Sequence, residues 1–551
     1  MLSAANSDLK EAIRADISQR GILRSETQRL INRAGGENAW LFDLRPLCLD
    51  AAFLESFANL FWQTYAGRHP FQVGGMEVAA IPLVTAIVMK SKMYGTPVNG
   101  FVARRERKTY GVGNIIEGNI LPDTPIIIVD DIFNSGSSLE KVRVNLKALS
   151  HSIDSAFVII DFLSLNGKKW KSLNRVEVKS IFNLTEFDLS LQKTSRTQVP
   201  DVFEDKWSFI SPDPNFFHRI PKSFPLVSGD KIFFGSDCGI FWCLNACDGK
   251  VIWKFKVITR GHKNIWSTAC EHHGKVYFGA YDGNLYCLDA NSGLEIWRFS
   301  GADWIGSSPA IAPDIGLLFI GLQYSVNEKH GGIAAFDLST GEMVWHHQTK
   351  RYTQASPAYY PRREIMTCGS NDNELMLFDA RSGRLLWRFA SADINGLKGS
   401  FRHAATFDTE RSQIVAGCAN GYIYVVDIDS GKEVFSVKTD GTIYTIPLVV
   451  GDKAYIGSTD KHLYILDLKG KQLKSKLPIG GKIFSPATYI NNFIYFSGTD
   501  GIVYEMDPVL DVITGIHQLP DAITNRIAYS PQTNLFYALT YVNQLFAMAH
   551  I

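Results

Sequence analysis

The sequence predicts a chain of two fold classes. Residues 1–195 read as an α/β domain, a parallel sheet with helices on both faces. Residues 196–551 read as an all-β propeller of eight blades. Three observations carry this. The run PIIIVDDIFNSGSS (125–138) joins an apolar strand to a Gly/Ser turn and a helix start. Up to about residue 190, apolar strands alternate with segments of helical spacing, the pattern of a parallel sheet. Beyond that point helical spacing stops and one short unit recurs to the C-terminus.

Composition narrows the classes. A chain of 551 residues needs more than one core. A formal net charge of +1 gives no bulk attraction to nucleic acid or an anionic membrane. No run of eighteen apolar residues occurs, so no transmembrane helix is expected. The opening MLSAANSDLKEAIRADISQR lacks the apolar centre of a signal peptide, so the expected compartment is the cytoplasm. The eight cysteines fit that compartment as free thiols. Cys238, Cys243, Cys247 and Cys270, with His272 and His273, have metal-binding side chains. However, Cys243 (WCLN) and Cys287 (YCLD) recur at one place in two repeats, so packing accounts for them and no metal ligand is assigned.

In 125–138, Ile126 to Val129 form the buried strand and Asp130 and Asp131 follow it. The turn to Ser138 contains Gly136, and helical spacing resumes from Leu139. Free amides at such a helix start, aided by its dipole, cradle phosphate. Two acids beside a phosphate cradle suit a phosphorylated sugar, whose hydroxyls they accept from. An apolar strand, Asp-Asp, three residues and Ser135-Gly136-Ser137-Ser138 resemble the phosphoribosyl-diphosphate (PRPP) signature of type I phosphoribosyltransferases. The resemblance implies that Asp130 and Asp131 hold the ribose hydroxyls. It implies that Asn134, Ser135, Gly136, Ser137 and Ser138 hold the 5′-phosphate.

Other segments at suitable distances extend the resemblance, to orotate phosphoribosyltransferases in particular, over roughly 20–190. Helices open the chain to about Leu30, and 51–66 has helical apolar spacing. In 31–47, Arg33 stands where that family has lysine, and Leu41-Phe42 where it has aromatics. FQVGGMEVAAIPLVTAIVMKS (71–91) reads as strand, Gly-rich turn and helix. It resembles the family's diphosphate loop, which implies that Gly74, Gly75, Met76 and Glu77 hold the diphosphate with Mg²⁺; Ala80 replaces the loop's second glycine. The basic cluster Arg104, Arg105, Arg107 and Lys108, before Gly111, resembles the mobile catalytic loop, with Tyr110 in place of histidine. Arg104, Arg105 and Lys108 are its expected catalytic cations. SAFVIIDF (155–162) is another strand, and Phe162 stands where orotate enzymes carry an arginine for the substrate carboxylate. Arg33, Phe42 and Phe162 are the expected acceptor contacts, and the substitutions argue against orotate itself.

After the polar linker 194–207, DKIFFGSDCGIFWCLNACDGKVIWKF (230–255) and GKVYFGAYDGNLYCLDANSGLEIWRF (274–299) are two copies of one unit. Further copies lie at 317–345, 364–387, 413–435, 454–474, 493–507 and 535–549. Asp282-Gly283, Ser292-Gly293, Thr340-Gly341, Ser382-Gly383 and Ser430-Gly431 mark hairpin turns. Four strands per 40–50 residues mean propeller blades. The unit resembles the pyrroloquinoline-quinone (PQQ)-like repeat, with Trp253, Trp297, Trp345 and Trp387 at its closing position and Phe435 once in their place. The eighth copy stops after its third strand, and DKWSFIS (205–211) resembles the missing one. An eight-bladed ring closed by that strand is expected; seven blades is the alternative. With no Cys-Cys pair and no export signal, no PQQ is expected, and the ring reads as a platform for a partner or ligand.

The expected function is Mg²⁺-dependent transfer of phosphoribose from PRPP to a nucleobase or other nitrogen acceptor. The expected partners are PRPP, a small-molecule acceptor, a protein on the ring and a second copy paired through the transferase domain. A non-catalytic PRPP or nucleotide sensor signalling through the ring is one alternative. A stress or defence effector is another.

Overall fold

The computed structural model describes residues 2–24, 40–104, 115–189, 199–211, 223–258, 264–325, 329–391, 393–394 and 397–551. They form two compact units, Met1–Leu189 and Ser190–Ile551.

In the first unit, helix α1 (Leu2–Asp16) leads through a single π turn into strand β1 (Ile22–Arg24), which pairs antiparallel with β2 (Trp40–Phe42). The opening helix therefore ends before Ile22, short of the expected Leu30, because this hairpin claims the chain. Helix α2 (Ala51–Tyr65), strand β3 (Gln72–Met76), helix α3 (Ala80–Ser91) and strands β4 (Gly100–Ala103) and β5 (Ile116–Gly118) follow. Then come β6 (Ile126–Phe133), α4 (Ser137–Lys147), β7 (Ser155–Asp161), α5 (Leu165–Asn174) and β8 (Glu177–Asn183). The sheet order is β5-β4-β3-β6-β7-β8, parallel except for β5.

Both faces of the sheet are covered, so its central strands read as unbroken apolar runs. Side chains alternate between the faces. In β7, Ala156 and Val158 join Leu139, Val142, Leu146 and Trp170 from α4 and α5. Phe157, between them, turns to the other face and meets Phe57, Phe61 and Tyr65 of α2 at ring separations of 5.7, 5.4 and 5.9 Å.

The second unit contains, among the described residues, eight four-stranded antiparallel sheets. Their innermost strands begin at Leu226, Cys270, Ala310, Ala358, Thr406, Leu448, Thr488 and Ala528. Repeated polar contacts explain the repeated letters. In the middle hairpin the aspartate takes both the amide two residues on and the hydroxyl of a tyrosine four residues on. Asp282 accepts from the Asn284 amide (3.0 Å) and the Tyr286 hydroxyl (2.6 Å). Asp460 does the same with His462 (3.0 Å) and Tyr464 (2.7 Å).

The closing tryptophans tie each of the first four blades to the next. The indole N–H groups of Trp253, Trp297, Trp345 and Trp387 donate to the carbonyls of Ala290, Leu338, Ala380 and Ile428 at 3.1, 3.3, 3.0 and 2.7 Å. Each indole also lies where a Cβ on the next blade's turn glycine would fall: Gly293, Gly341, Gly383 and Gly431. These glycines have φ of +67° to +75°, so glycine is required for both the backbone and the space.

The ring closes as the repeat count predicts. Strand β9 (Phe203–Ile210) pairs with Gln544–His550 and completes blade 8. Trp207 of β9 covers Gly249 of blade 1, as the other tryptophans cover their glycines. The carbonyl of Ala246, the equivalent of Ala290, accepts from the Tyr537 hydroxyl instead (2.9 Å). Just before β9, Asp201 bridges to Ile516 of blade 7. There His517 is buried with Nδ1 2.8 Å from Asp201 Oδ1 and Nε2 3.1 Å from Asp205 Oδ1. Burial pulls its pKa down, but the bonds to Asp205 and Asp201 outweigh burial and hold it above the ordinary histidine value.

Two outcomes follow for ring closure. Trp207→Ala should destabilise the propeller by about 2–3 kcal/mol in chemical denaturation, the usual cost of emptying a partly buried indole site. Because the folded pKa of His517 is raised, its contribution is complete below about pH 6.5 and is lost as the pH rises through the folded value. Between pH 6 and 9 the wild type should therefore lose about 1 kcal/mol more than His517→Gln. Identical pH profiles would show that the two aspartates add nothing.

Candidate functional site

Strand order reverses between β3 and β6: α3 carries the chain from β3 to β4 on one side, and α4 carries it from β6 to β7 on the other. Ligands of open α/β sheets bind in the crevice at the carboxyl ends of such strands. Here the two strands pair only from Gln72↔Ile126 to Gly74↔Ile128 and then part, while β6 stays paired with β7 as far as Phe133↔Asp161. The strand thus continues through Asp130 and Asp131 rather than stopping at Val129, because β7 supplies a partner over that length. The helix starts at Ser137, two residues earlier than its apolar spacing indicates.

Asp130 is buried, and its Oδ1 accepts from the Asp131 amide at 3.0 Å. Asp131 Oδ1 accepts from the Ile132 amide at 2.8 Å. Burial pushes the Asp131 carboxyl above the usual range; the bond to Asp130, the Ile132 amide and the charge of Arg45 pull the other way. Cys48 lies in the field of the same pair: burial first, then the charges of Asp131, Asp130 and Asp43, push its thiol up to about 12. The segment carrying Arg45 and Cys48 therefore lies close to the acid pair, which spacing alone does not reveal.

The turn after β6 is fixed from α5. Gly136 has φ +78°, and a Cβ there would meet the Trp170 indole at 2.5 Å. Trp170 Nε1 donates to Glu140 of α4 at 2.8 Å, and Ser164 Oγ donates to the Asn134 carbonyl at 2.6 Å. Ser164 also caps α5, accepting from the Gly167 amide at 3.1 Å. No side chain caps the start of α4, so its first-turn amides face the turn unclaimed by one. The Asn134 Oδ1 is sealed from solvent and has no hydrogen-bond partner. Ser135 and Ser138 are half-buried and Ser137 is exposed at that helix start. Trp170 and Ser164 are positioning residues that the sequence reading misses, since their helix carries no motif.

Gly74 and Gly75 make room for protein. A Cβ on Gly74 would strike the Phe101 ring at 2.2 Å, and one on Gly75 would strike Ala80 Cβ at 2.3 Å and the Val129 carbonyl at 2.5 Å. Met76 is buried at the end of β3. Glu77, next along, lies 3.8 Å from Arg104, which also pairs with Glu117 at 2.8 Å. Arg105, Arg107, Lys108 and Tyr110 lie outside the described residues, as does Arg33.

Phe42 and Phe162, remote in sequence, meet at 5.7 Å between rings. Trp40 joins both, at 5.6 Å and 6.2 Å, and Phe187 backs Phe42 at 5.3 Å. The Phe162 amide donates to the Phe133 carbonyl at 2.9 Å, which sets this aromatic cluster beside the end of β6. Asp161 is occupied: Lys171 lies at 2.7 Å and the Leu163 amide donates to it at 2.8 Å. Trp40, next to the expected aromatics, completes the cluster without having been singled out.

Comparison with known proteins agrees with this division. The N-terminal part is 30% identical over 124 residues to an orotate phosphoribosyltransferase of Rhodopirellula baltica, a match covering 22% of this chain and 64% of that enzyme. It is 27% identical over 154 residues to that of Methanosphaera stadtmanae, covering 28% of this chain and 83% of that enzyme. The chain thus spans somewhat under two thirds of the first relative's length. The family model described as "Outer membrane protein assembly factor BamB" matches residues 243–371 and 371–508. Among solved structures, BamB from Moraxella catarrhalis superposes with a TM-score of 0.50 at 15% identity, covering 63% of this chain and all of that one. Quinohemoprotein alcohol dehydrogenase ADHIIG from Pseudomonas putida HK5 does so with a TM-score of 0.51 at 13% identity, covering 63% of this chain and 76% of that one. At these identities the likeness is one of fold. The chain joins an orotate phosphoribosyltransferase-like domain to a PQQ-like propeller.

The acid pair has a cost that can be measured. A carboxyl whose folded pKa is raised stabilises the protein only at low pH, and that contribution is lost as the pH rises through the folded value. Asp131→Asn keeps an oxygen for the Ile132 amide and removes a half-buried charge. At pH 7 it should stabilise the ligand-free protein by about 1 kcal/mol, the pattern of a site whose function opposes stability. A destabilised variant in thermal unfolding would assign Asp131 a structural role instead.

Proposed function

We propose that the N-terminal domain transfers phosphoribose from PRPP to a nitrogen acceptor. The observation that carries this reading is the acid pair at the parting of β3 and β6, beside a helix start that no side chain caps. The sequence relation to orotate phosphoribosyltransferases supports it. In this reading Asp130 and Asp131 accept from the ribose 2′ and 3′ hydroxyls. The 134–138 turn gives backbone amides and the hydroxyls of Ser135, Ser137 and Ser138 to the 5′-phosphate. Gly74 to Glu77 offer backbone amides and one carboxylate to the diphosphate.

Carboxylates at both strand ends are the hard oxygen donors that magnesium prefers, directly or through water. Bound to the diphosphate, the ion would neutralise charge on the leaving group. Arg104, Arg105 and Lys108 are the cations that would meet that charge as the bond to C1 breaks, when electrostatic stabilisation counts most. The acceptor would stack on Trp40, Phe42 and Phe162. This surface of aromatic rings favours a flat, weakly charged ring over a carboxylated one. The compartment proposed for this chemistry is the cytoplasm.

A sensor that binds PRPP without turnover is the second reading. Its support is that Arg104 already pairs with Glu77 and Glu117 and that Phe162 sits inside an aromatic cluster.

The test is a screen of nucleobases with PRPP and Mg²⁺, scored by pyrophosphate release. Asp130→Asn/Asp131→Asn should lower release at least about 100-fold, the scale of losing a charge-positioning pair. Trp40→Ala should raise KM for the acceptor and leave PRPP affinity unchanged. PRPP binding without release under any base would leave the sensor.

A further inference from the structure

A short run of hydrogen bonds links the first four blades of the propeller near its axis, and blade 8 carries a different side chain at the same position. Two residues before each innermost strand, blades 2, 3 and 4 carry Thr268, Ser308 and Ser356. Each hydroxyl accepts from the backbone amide of the equivalent residue one blade back. The donors are Phe224, Thr268 and Ser308, all at 2.9 Å. These contacts run around the axis, where the first strands of successive blades meet and that of blade 8 meets that of blade 1.

At this position blades 5, 6 and 7 carry Ala404, Ile446 and Pro486, none with a hydroxyl, and blade 8 carries Arg526. Pro486 has no amide to donate, so blade 8 needs no acceptor here. Arg526 turns toward blade 1, with its guanidinium carbon 5.8 Å from the centre of the Phe224 ring. Its Nε is sealed from solvent with no hydrogen-bond partner, and among the described residues no carboxylate pairs with it. Thr524, on the same face of the strand entry, is buried with its hydroxyl unpartnered as well. The nearest acid in sequence, Asp521, spends Oδ1 on the Ala522 amide at 2.7 Å.

Arg526 is half-buried, and a guanidinium partly removed from water without a counter-charge is costly, which an aromatic face only partly offsets. Burial accordingly pulls the Arg526 pKa down, with no opposing anion. The planar fork of arginine matches the paired oxygens of carboxylate and phosphate. We propose that Arg526, over Phe224 and beside Thr524, forms a binding site for a small-molecule oxyanion at the axis of the propeller. The site is separate in sequence from the transferase residues and does not depend on the reading given for them.

The test compares the full chain with its Arg526→Met variant, in which anions held at the transferase site act equally and so cancel. Inorganic phosphate and citrate, at ionic strength matched with sodium chloride, should raise the melting temperature of the wild type by about 2–4 °C beyond any rise in the variant. A response to one anion alone assigns the phosphate or the carboxylate class. Arg526→Met should lose this added response, and Arg526→Lys, which keeps the charge without the fork, should weaken affinity several-fold. In crystals grown with selenate, an anomalous peak should lie within hydrogen-bond distance of the guanidinium, a readout that needs no variant to fold. The proposal is overturned by an equal response in Arg526→Met or by selenate density elsewhere only.

Discussion

The constraint on which the propeller depends is that its last blade lacks a strand of its own. A ring of antiparallel sheets has no free edge only if that strand is supplied from elsewhere. Here it comes from ahead of the repeats, as Phe203–Ile210. The borrowed strand brings with it the device of the first four junctions, an indole over a glycine. Its lead-in is further held by a histidine between two aspartates. Closure thus adds contacts of its own where the chain enters the ring, and the rest of the propeller is a row of nearest-neighbour contacts.

The N-terminal unit meets a different demand, which is to keep two carboxylates side by side and partly out of water. Each acid accepts from the next backbone amide, and β7 holds the strand straight beneath them. The Gly/Ser turn beyond is set by Trp170 and Ser164, which leave Gly136 as the residue that both fits the space and tolerates the backbone. Glycines that a motif assigns to ligand approach prove to have a second task. Gly74 and Gly75 admit Phe101, Ala80 and the backbone of β6, so the loop's shape is a packing property before it is a binding one.

Much of this was legible in the chain. Hairpin turns at Asp-Gly and Ser-Gly and tryptophans at a fixed offset specify blades, because the blades that carry them make the same contacts with the next blade. The acid pair and its Gly/Ser turn were legible because strand, turn and helix start are contiguous. The acceptor side was only half legible: Phe42 and Phe162 lie 120 positions apart, and their meeting with Trp40 depends on how β2 is brought to the end of β7. Arg45 and Cys48 near the acids had no signal in spacing, since proximity across a fold leaves no trace in a single segment.

By itself, then, the sequence determined the two fold classes, the number of repeats, the donor strand of the ring and the acid-bearing turn, all of which rest on local patterns. Tertiary structure alone decided how far β6 runs past Val129, what fills the space beside Gly74 and Gly75, and which rings gather around Phe162. It also decided that Arg526 lies over Phe224 of blade 1. These depend on which partner a strand or side chain finds across the sheet or around the axis, and that choice is made by packing rather than by the order of residues.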